Sequence, residues 1–410
     1  MTREAALLTD RSPALRPCPV CGQEPNERFF TFPSVPVFCN VLLPDRDQAI
    51  SAPMAPIDLA FCGGCGHIYN DSFDPSLVAY SPRYENSLHH SGVFREYASD
   101  LVRELVEQHG LRGKKVLEIG CGQGDFLSEL CIAGGNIGVG FDPSFAGGSL
   151  PPGVERIEQA YFTPEFMDIL PDAIVCRQVL EHIDDPAGFL AMIREAIGNR
   201  DVFVFFEVPN GLWCFGGGGI WDVIYEHCGY FTPQSLERAF HRNSFRVLEL
   251  REAFGGQFLT VAARPAVADH GPVESAGNLA PLANQVMRSA EAMAQGITRW
   301  REELLRLGRE FGSVVIWGAG SKGVTFLNIA DPDRLVASAV DLNPQKQHMF
   351  VPGSGQQIEA PERLTSHSPG TVLVMNPNYL TEIVSQLDSL TIDAKVVVAS
   401  GELDVIESSC

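Results

Sequence analysis

The chain has 410 residues, 45% hydrophobic and 20% charged, a globular composition long enough for two or three domains and unlike that of a disordered tail. Lys and Arg number 30 against 51 Asp and Glu, giving a formal net charge of −21. So acidic a surface argues against a sequence-independent nucleic-acid binder and against docking on anionic lipid.

The first residues, MTREAALLTDRSP, contain no apolar core of signal-peptide length, and no segment is apolar enough to span a bilayer. The expected address is the cytoplasm, where the 11 cysteines are better suited to metal than to a disulfide framework. Four of them form two CxxCG knuckles, Cys18-Pro-Val-Cys21-Gly22 and Cys62-Gly-Gly-Cys65-Gly66. Two residues between thiolates let both sulfurs face one point, and two knuckles supply the four ligands of a closed, structural zinc site. Buried uninvolved thiols or a redox pair are the alternatives, and the doubled spacing with flanking glycines argues against both. Residues 1–75 are therefore expected to be a small metal-stapled domain with little core of its own.

A helical stripe over 92–109 (Val93, Tyr97, Leu101, Leu105, Val106) opens the next region, 76–265. A buried strand, Lys115–Ile119, then runs into Gly120-Cys-Gly122-Gln-Gly124, a turn that lets a ligand approach the backbone. The strand Gly138–Phe141 ends at Asp142, an acid placed to meet the two hydroxyls of a ribose. With Glu118 the loop reads E-x-G-x-G-x-G and not the dinucleotide fingerprint G-x-G-x-x-G. It resembles motif I of class I S-adenosylmethionine (SAM)-dependent methyltransferases, in which the acid faces the cationic methionine end of the cofactor. The segment from Asp172 through Gln178 and Leu180-Glu181-His182 to Pro186 is similar to that family's fourth-strand region, which adds Gln178 to the expected cofactor residues. Val202–Val208, Phe245–Leu250 and Phe258–Ala263 read as further strands. Tyr225, Glu226, His227 and Tyr230 precede a helix capped by Thr232 with Pro233 at its first position, so they fall at the carboxyl edge of the sheet as acid/base candidates. A locally bonded histidine among packing tyrosines is the structural alternative.

Residues 266–283 are small and polar and read as a linker; 284–310 reads as a helix. The strand Ser313–Trp317 leads into Gly318-Ala-Gly320-Ser-Lys322-Gly323, which fits G-x-G-x-x-G, and Leu335–Val340 ends at Asp341. Taken alone this is a Rossmann-like unit for NAD or another nucleotide-like ligand. Thr371–Met375 and Lys395–Ser400 continue the α/β pattern across 284–410.

Over residues 15–400 the chain resembles the three-domain sugar C-methyltransferases acting on nucleotide-linked keto-deoxysugars. The knuckles, Leu117–Gly124, Glu226-His-Cys-Gly-Tyr-Phe231, Trp317–Gly323 with Asn328, and Asp341-Leu-Asn-Pro-Gln-Lys346 carry the resemblance. It implies a class I Rossmann-like methyltransferase core between an N-terminal zinc domain and a C-terminal Rossmann-like domain. It implies SAM and structural Zn2+ as cofactors, and His227 as the base that removes a proton beside a keto group. Glu226 is then its acidic neighbour and Tyr84 a pocket tyrosine; Gly318, Gly320, Lys322, Asn328, Asp341 and Lys346 hold the substrate. The family often reads Tyr-x-Glu-His, whereas here Ile224 takes the tyrosine position and Tyr225 adjoins Glu226. Methylation of oxygen or of another carbon acceptor, and a nucleotide-sugar or NAD-binding protein with an inactive methyltransferase domain, are the competing readings.

Overall fold

The computed structural model describes residues 15–24, 27–216, 219–266 and 278–399. Three sheets organise it. The first is four-stranded and antiparallel, ordered β1 (Glu27–Pro36), β2 (Met54–Phe61), β3 (Ile68–Asn70) and β9 (Gly229–Tyr230). The expectation of little core here is corrected: Phe32, Val35, Ile57, Leu59 and Phe61 are buried and share one apolar cluster with Trp221, Trp300 and Phe326.

The second sheet contains β4 (Lys115–Ile119), β5 (Ile137–Phe141), β6 (Val154–Glu158), β7 (Ala173–Arg177), β8 (Phe203–Pro209), β10 (Phe245–Ala253) and β11 (Phe258–Pro265). Its order is β10-β11-β8-β7-β4-β5-β6, parallel except for β11, which runs antiparallel to both β8 and β10. This is the class I methyltransferase form of the doubly wound sheet. The chain reverses direction across the sheet on either side of β4, so the carboxyl ends of β4 and β7 border the crevice where such sheets take ligands. The helix Gly92–Glu107, capped by Ser91, buries Phe94, Ala98, Leu101, Val102 and Leu105. Its inward face is thus turned slightly from the expected stripe, and Val93 and Tyr97 are only half-buried. The helix Pro233–Arg242 starts as expected, with Thr232 accepting from Ser235 in a capping box and Pro233 in the first turn.

The third sheet is wholly parallel: β12 (Val314–Trp317), β13 (Val336–Val340), β14 (Ile358–Glu359), β15 (Thr371–Val374) and β16 (Lys395–Val398), ordered β14-β13-β12-β15-β16. The long helix before it runs Ala280–Glu310, four residues earlier than expected; most of the 266–283 stretch and Ser400 lie outside the described residues. Among the described residues no helix is long and apolar enough to cross a membrane.

Trp221 ties the three sheets together. It is fully buried, packs edge-on against Phe326 and donates from Nε1 to the Ala399 carbonyl at 2.9 Å. Trp221→Ala leaves a large cavity and an unpaired buried carbonyl. It should lower unfolding free energy by about 3–5 kcal/mol, read as a shifted denaturant midpoint.

Candidate active site

The segment 226–231 is held from three sides. Gly229 and Tyr230 pair with Tyr69 and Ile68 of β3, so the loop after β8 becomes the edge strand of the N-terminal sheet. The Asn70 amide donates to the Cys228 carbonyl at 3.0 Å, and Asn210 bridges to Phe231. The Cys39 amide donates to Glu226 Oε2 at 2.7 Å. Burial pushes the Glu226 carboxyl up to about 7, with the Cys39 amide, the Tyr84 hydroxyl and Lys346 pulling it back. Tyr84 is braced by edge contacts from Tyr80 and Phe38.

A cavity of about 260 Å³ opens here, walled by all three sheet units. Tyr84 and Asn40 come from the N-terminal part; Gln178, Glu181, His182 and His227 come from the carboxyl edge of the seven-stranded sheet; Gly318, Gly320, Lys322, Asp341 and Lys346 come from the C-terminal unit. The His227 Nδ1 is buried and has no hydrogen-bond partner among the described residues. Burial holds the imidazole pKa well below its ordinary value, so the ring is neutral. The His182 ring lies 4.8 Å away, centroid to centroid. Its Nδ1 bonds the Glu226 carbonyl at 2.9 Å and Tyr80 Oη at 2.8 Å.

The other acid/base candidates lie elsewhere. The Tyr225 hydroxyl accepts from the Asp74 amide and its ring packs on Phe73. The Tyr230 hydroxyl is tied to the amide and carbonyl of Ile224. Neither tyrosine lines the cavity. Glu181 and His182, in the run quoted from the fourth strand, were not singled out by sequence; their place just past β7, at the carboxyl edge, was the available signal.

The first glycine turn lies beside the cavity. Gly120 has φ +75°, and a Cβ there would stand 2.2 Å from Val179, the neighbour of Gln178. Gly122 and Gly124 also have positive φ. Glu118 is buried, and burial raises its carboxyl to about 8 while Arg177 opposes the rise. Its Oε2 has no hydrogen-bond partner among the described residues. Arg177 itself is paired with Glu207 at 2.9 Å, and Gln178 Nε2 donates to the same oxygen at 3.1 Å. Asp142 accepts the Gly122 amide at 2.7 Å and the Ser144 amide and hydroxyl at 2.7 and 2.6 Å. A carboxylate has about four acceptor positions, which leaves room for a ribose hydroxyl.

The C-terminal turn uses the same device. Asp341 accepts the Ala319 amide at 3.0 Å and the Asn343 amide at 2.9 Å. Lys322 pairs with Asp222 at 2.7 Å, and Lys346 Nζ donates to Asn40 Oδ1 at 2.9 Å. Asn328 is placed away from the cavity, bonding the Val324 and Pro352 carbonyls. At the far end of the N-terminal sheet, Cys18, Cys21, Cys62 and Cys65 bring four sulfurs within 4.8 Å of one another. The knuckle loop leans on the helix Pro233–Arg242: Thr232 Oγ1 donates to the Gly66 carbonyl at 3.1 Å.

Comparison with known proteins assigns the two larger units. Among curated relatives, a ubiquinone biosynthesis O-methyltransferase from Pasteurella multocida is 32% identical over 122 residues, 25% of this chain and 50% of that protein. A tRNA U34 carboxymethyltransferase from Dichelobacter nodosus is 32% identical over 111 residues, 25% of this chain and 36% of that protein. The chain thus spans half or less of the length of these relatives. A solved Burkholderia thailandensis 1,6-didemethyltoxoflavin-N1-methyltransferase with bound S-adenosylhomocysteine shares 18% identity at a TM-score of 0.32, covering 43% of this chain and 82% of its own. The methyltransferase-domain family matches residues 89–250, and the C-methyltransferase C-terminal domain family matches residues 262–399. Over these two stretches the chain is similar to a methyltransferase domain followed by a C-methyltransferase C-terminal domain.

Proposed function

We propose that the protein transfers the methyl group of SAM to a carbon beside a keto group on a nucleotide-linked sugar, with His227 as the base. The observation that carries the reading is the unpartnered Nδ1 of the half-buried His227 at the wall of a cavity lined by Gln178 from the seven-stranded sheet and by the C-terminal glycine turn. The residues present suit SAM. The unbonded oxygen of Glu118 faces the need of a cationic methionine end, the positive-φ turn Gly120–Gly124 admits a close ligand, and Asp142 retains capacity for a ribose. Bound there, SAM supplies an electrophilic methyl. His227 takes through its unpartnered Nδ1 the proton from the carbon that the neighbouring ketone acidifies. Tyr84 lines the same wall to orient the acceptor, and Glu226, which does not line the cavity, acts behind it on Tyr84. The C-terminal turn offers the amino end of the helix Ser321–Ile329, and Lys346 lies in the same wall; both suit the phosphates of a nucleotide. The match to a C-methyltransferase C-terminal domain favours carbon over oxygen as acceptor. O-methylation is the second reading, supported by the curated relatives named as O-methyltransferases and by Ile224 in the tyrosine position.

His227→Asn should keep SAM affinity and lose about a hundredfold or more in turnover. Solvent deuterium exchange at the carbon beside the ketone, measured without SAM on a panel of nucleotide-linked keto-sugars, should fall with it. Exchange that persists in the variant removes His227 as base. Absence of exchange in the wild type, with methyl transfer intact, favours oxygen.

Glu118 gives the cofactor reading its own pH signature. The free carboxyl sits at about 8, and a cation opposite it favours the ionised form, so binding below that pH expels a proton. SAM affinity should rise with pH, by up to about tenfold per unit, and level off above about 8. Glu118→Gln should flatten the profile and weaken binding by about 1–3 kcal/mol, both read by calorimetry.

The four thiolates suit structural zinc, being soft donors closing a tetrahedral site. Cys62→Ser should release the ion on elemental analysis and lower the thermal midpoint, because ligand binding is also folding energy. Retention of one zinc per chain in that variant removes the assignment.

A further inference from the structure

Three donor groups converge at the cavity wall: the Glu181 carboxylate, His182 and His227, with one ligand atom of each within 4.8 Å of the others. His182 has the second contact of a metal-ligand histidine. A ligating imidazole presents one bare nitrogen and donates the other N–H to a carbonyl or carboxylate, which fixes its tautomer and aim. His182 Nδ1 faces the Glu226 backbone carbonyl at 2.9 Å. In the tautomer that donates from Nδ1 to this carbonyl, with Tyr80 Oη also 2.8 Å from Nδ1, Nε2 is the bare nitrogen. Nε2 lies 3.9 Å from Glu181 Oε1. The His227 Nδ1 has no hydrogen-bond partner among the described residues. Both oxygens of Glu181 are without hydrogen-bond partners among the described residues, on a side chain 1% exposed. A buried carboxylate in that condition is costly unless something positive meets it.

We propose that Glu181, His182 and His227 form a second metal site, distinct from the cysteine cluster, for a borderline divalent cation such as Co2+, Zn2+ or Ni2+. Two imidazoles and one carboxylate suit these ions better than Mg2+ or Ca2+, which prefer all-oxygen shells. Ligands about 2.1 Å from a tetrahedral ion stand about 3.4 Å apart, so the three donor atoms, within 4.8 Å of one another, draw together on loading. The remaining coordination positions open to the cavity, which also provides the entry path. The consequence for catalysis rests on the reading of His227 as base: an ion on Nδ1 occupies the lone pair that would take the substrate proton, so the loaded site is an inhibited one.

Co2+ is the probe, added to the full chain with its cysteine zinc in place. One further equivalent should bind, with visible d–d absorption and without the intense near-ultraviolet band of cobalt–thiolate bonds. His182→Asn and Glu181→Gln should each weaken that binding about 10- to 100-fold while the zinc count stays unchanged. X-ray absorption at the cobalt edge of the wild-type protein gives an answer independent of variant folding, with imidazole scattering and no sulfur expected. No second equivalent at millimolar Co2+, sulfur-only ligation, or unchanged affinity in both variants would overturn the site. If Co2+ binds as described and deuterium exchange at the acceptor carbon stops, site and base reading stand together. If it binds and exchange continues, the site stands and the base reading fails.

Discussion

The pairing of Gly229 and Tyr230 with β3 is the contact on which the candidate site depends. A loop after a central strand is ordinarily free to vary. Here it is an edge strand of another sheet, and Glu226 is locked to the Cys39 amide on the side toward the N-terminal part. His227 sits between those two anchors and cannot move without breaking one of them. The cysteine knuckle stands at the turn before β3 and bears on Thr232, so it stiffens both the strand that receives the loop and the helix that follows it. The four-cysteine cluster therefore has a mechanical connection, through Gly66 and Thr232, to the segment that carries His227.

Two sheets carry an acid-clamped glycine turn, and the C-terminal one lines the cavity. Asp142 holds the Gly122 amide and Asp341 holds the Ala319 amide, each acid standing just past its strand. In both units the carboxylate spends part of its bonding capacity on its own turn, which keeps the backbone preorganised for a ligand. The difference lies in the electrostatic setting. The first turn has a buried carboxyl, Glu118, with no compensating cation of its own, since Arg177 is engaged by Glu207. The second has Lys322 and Lys346 on the cavity wall. One end thus suits a cationic ligand and the other an anionic one, a polarity that net charge conceals.

The glycine turns, the strands feeding them and the capped helix at Thr232 were legible because each is a local pattern: an apolar run, a breaker, a cap. The N-terminal sheet was not. β1 contains Pro33 and Pro36 and pairs with register shifts on β2, which erases the alternation that marks a strand. β9 is two residues long and has no local signal. For the same reason the orientation of neighbours around His227 was hidden. Tyr225 and Tyr230 look equivalent to Tyr84 in sequence, yet their hydroxyls are consumed by Asp74 and Ile224. Glu181 and His182 meet His227 only because the β8-to-helix loop is folded back over the end of β7, a long-range event that spacing does not record.

Cys39 and Glu226 are 187 residues apart. At about 5–20 residues per second on a ribosome, roughly ten to forty seconds separate their emergence. Through that interval the nascent N-terminal sheet has an unpaired edge at β3 and an apolar face whose partners, Trp221, Trp300 and Phe326, do not yet exist. Open edges and apolar faces are what chains use to aggregate. Of the three sheets, the first made thus stays open at its edge until Tyr230 and at its apolar face until Phe326 has been added. Its yield in a cell then depends on how the emerging chain is protected while it waits, as much as on the stability of the final fold.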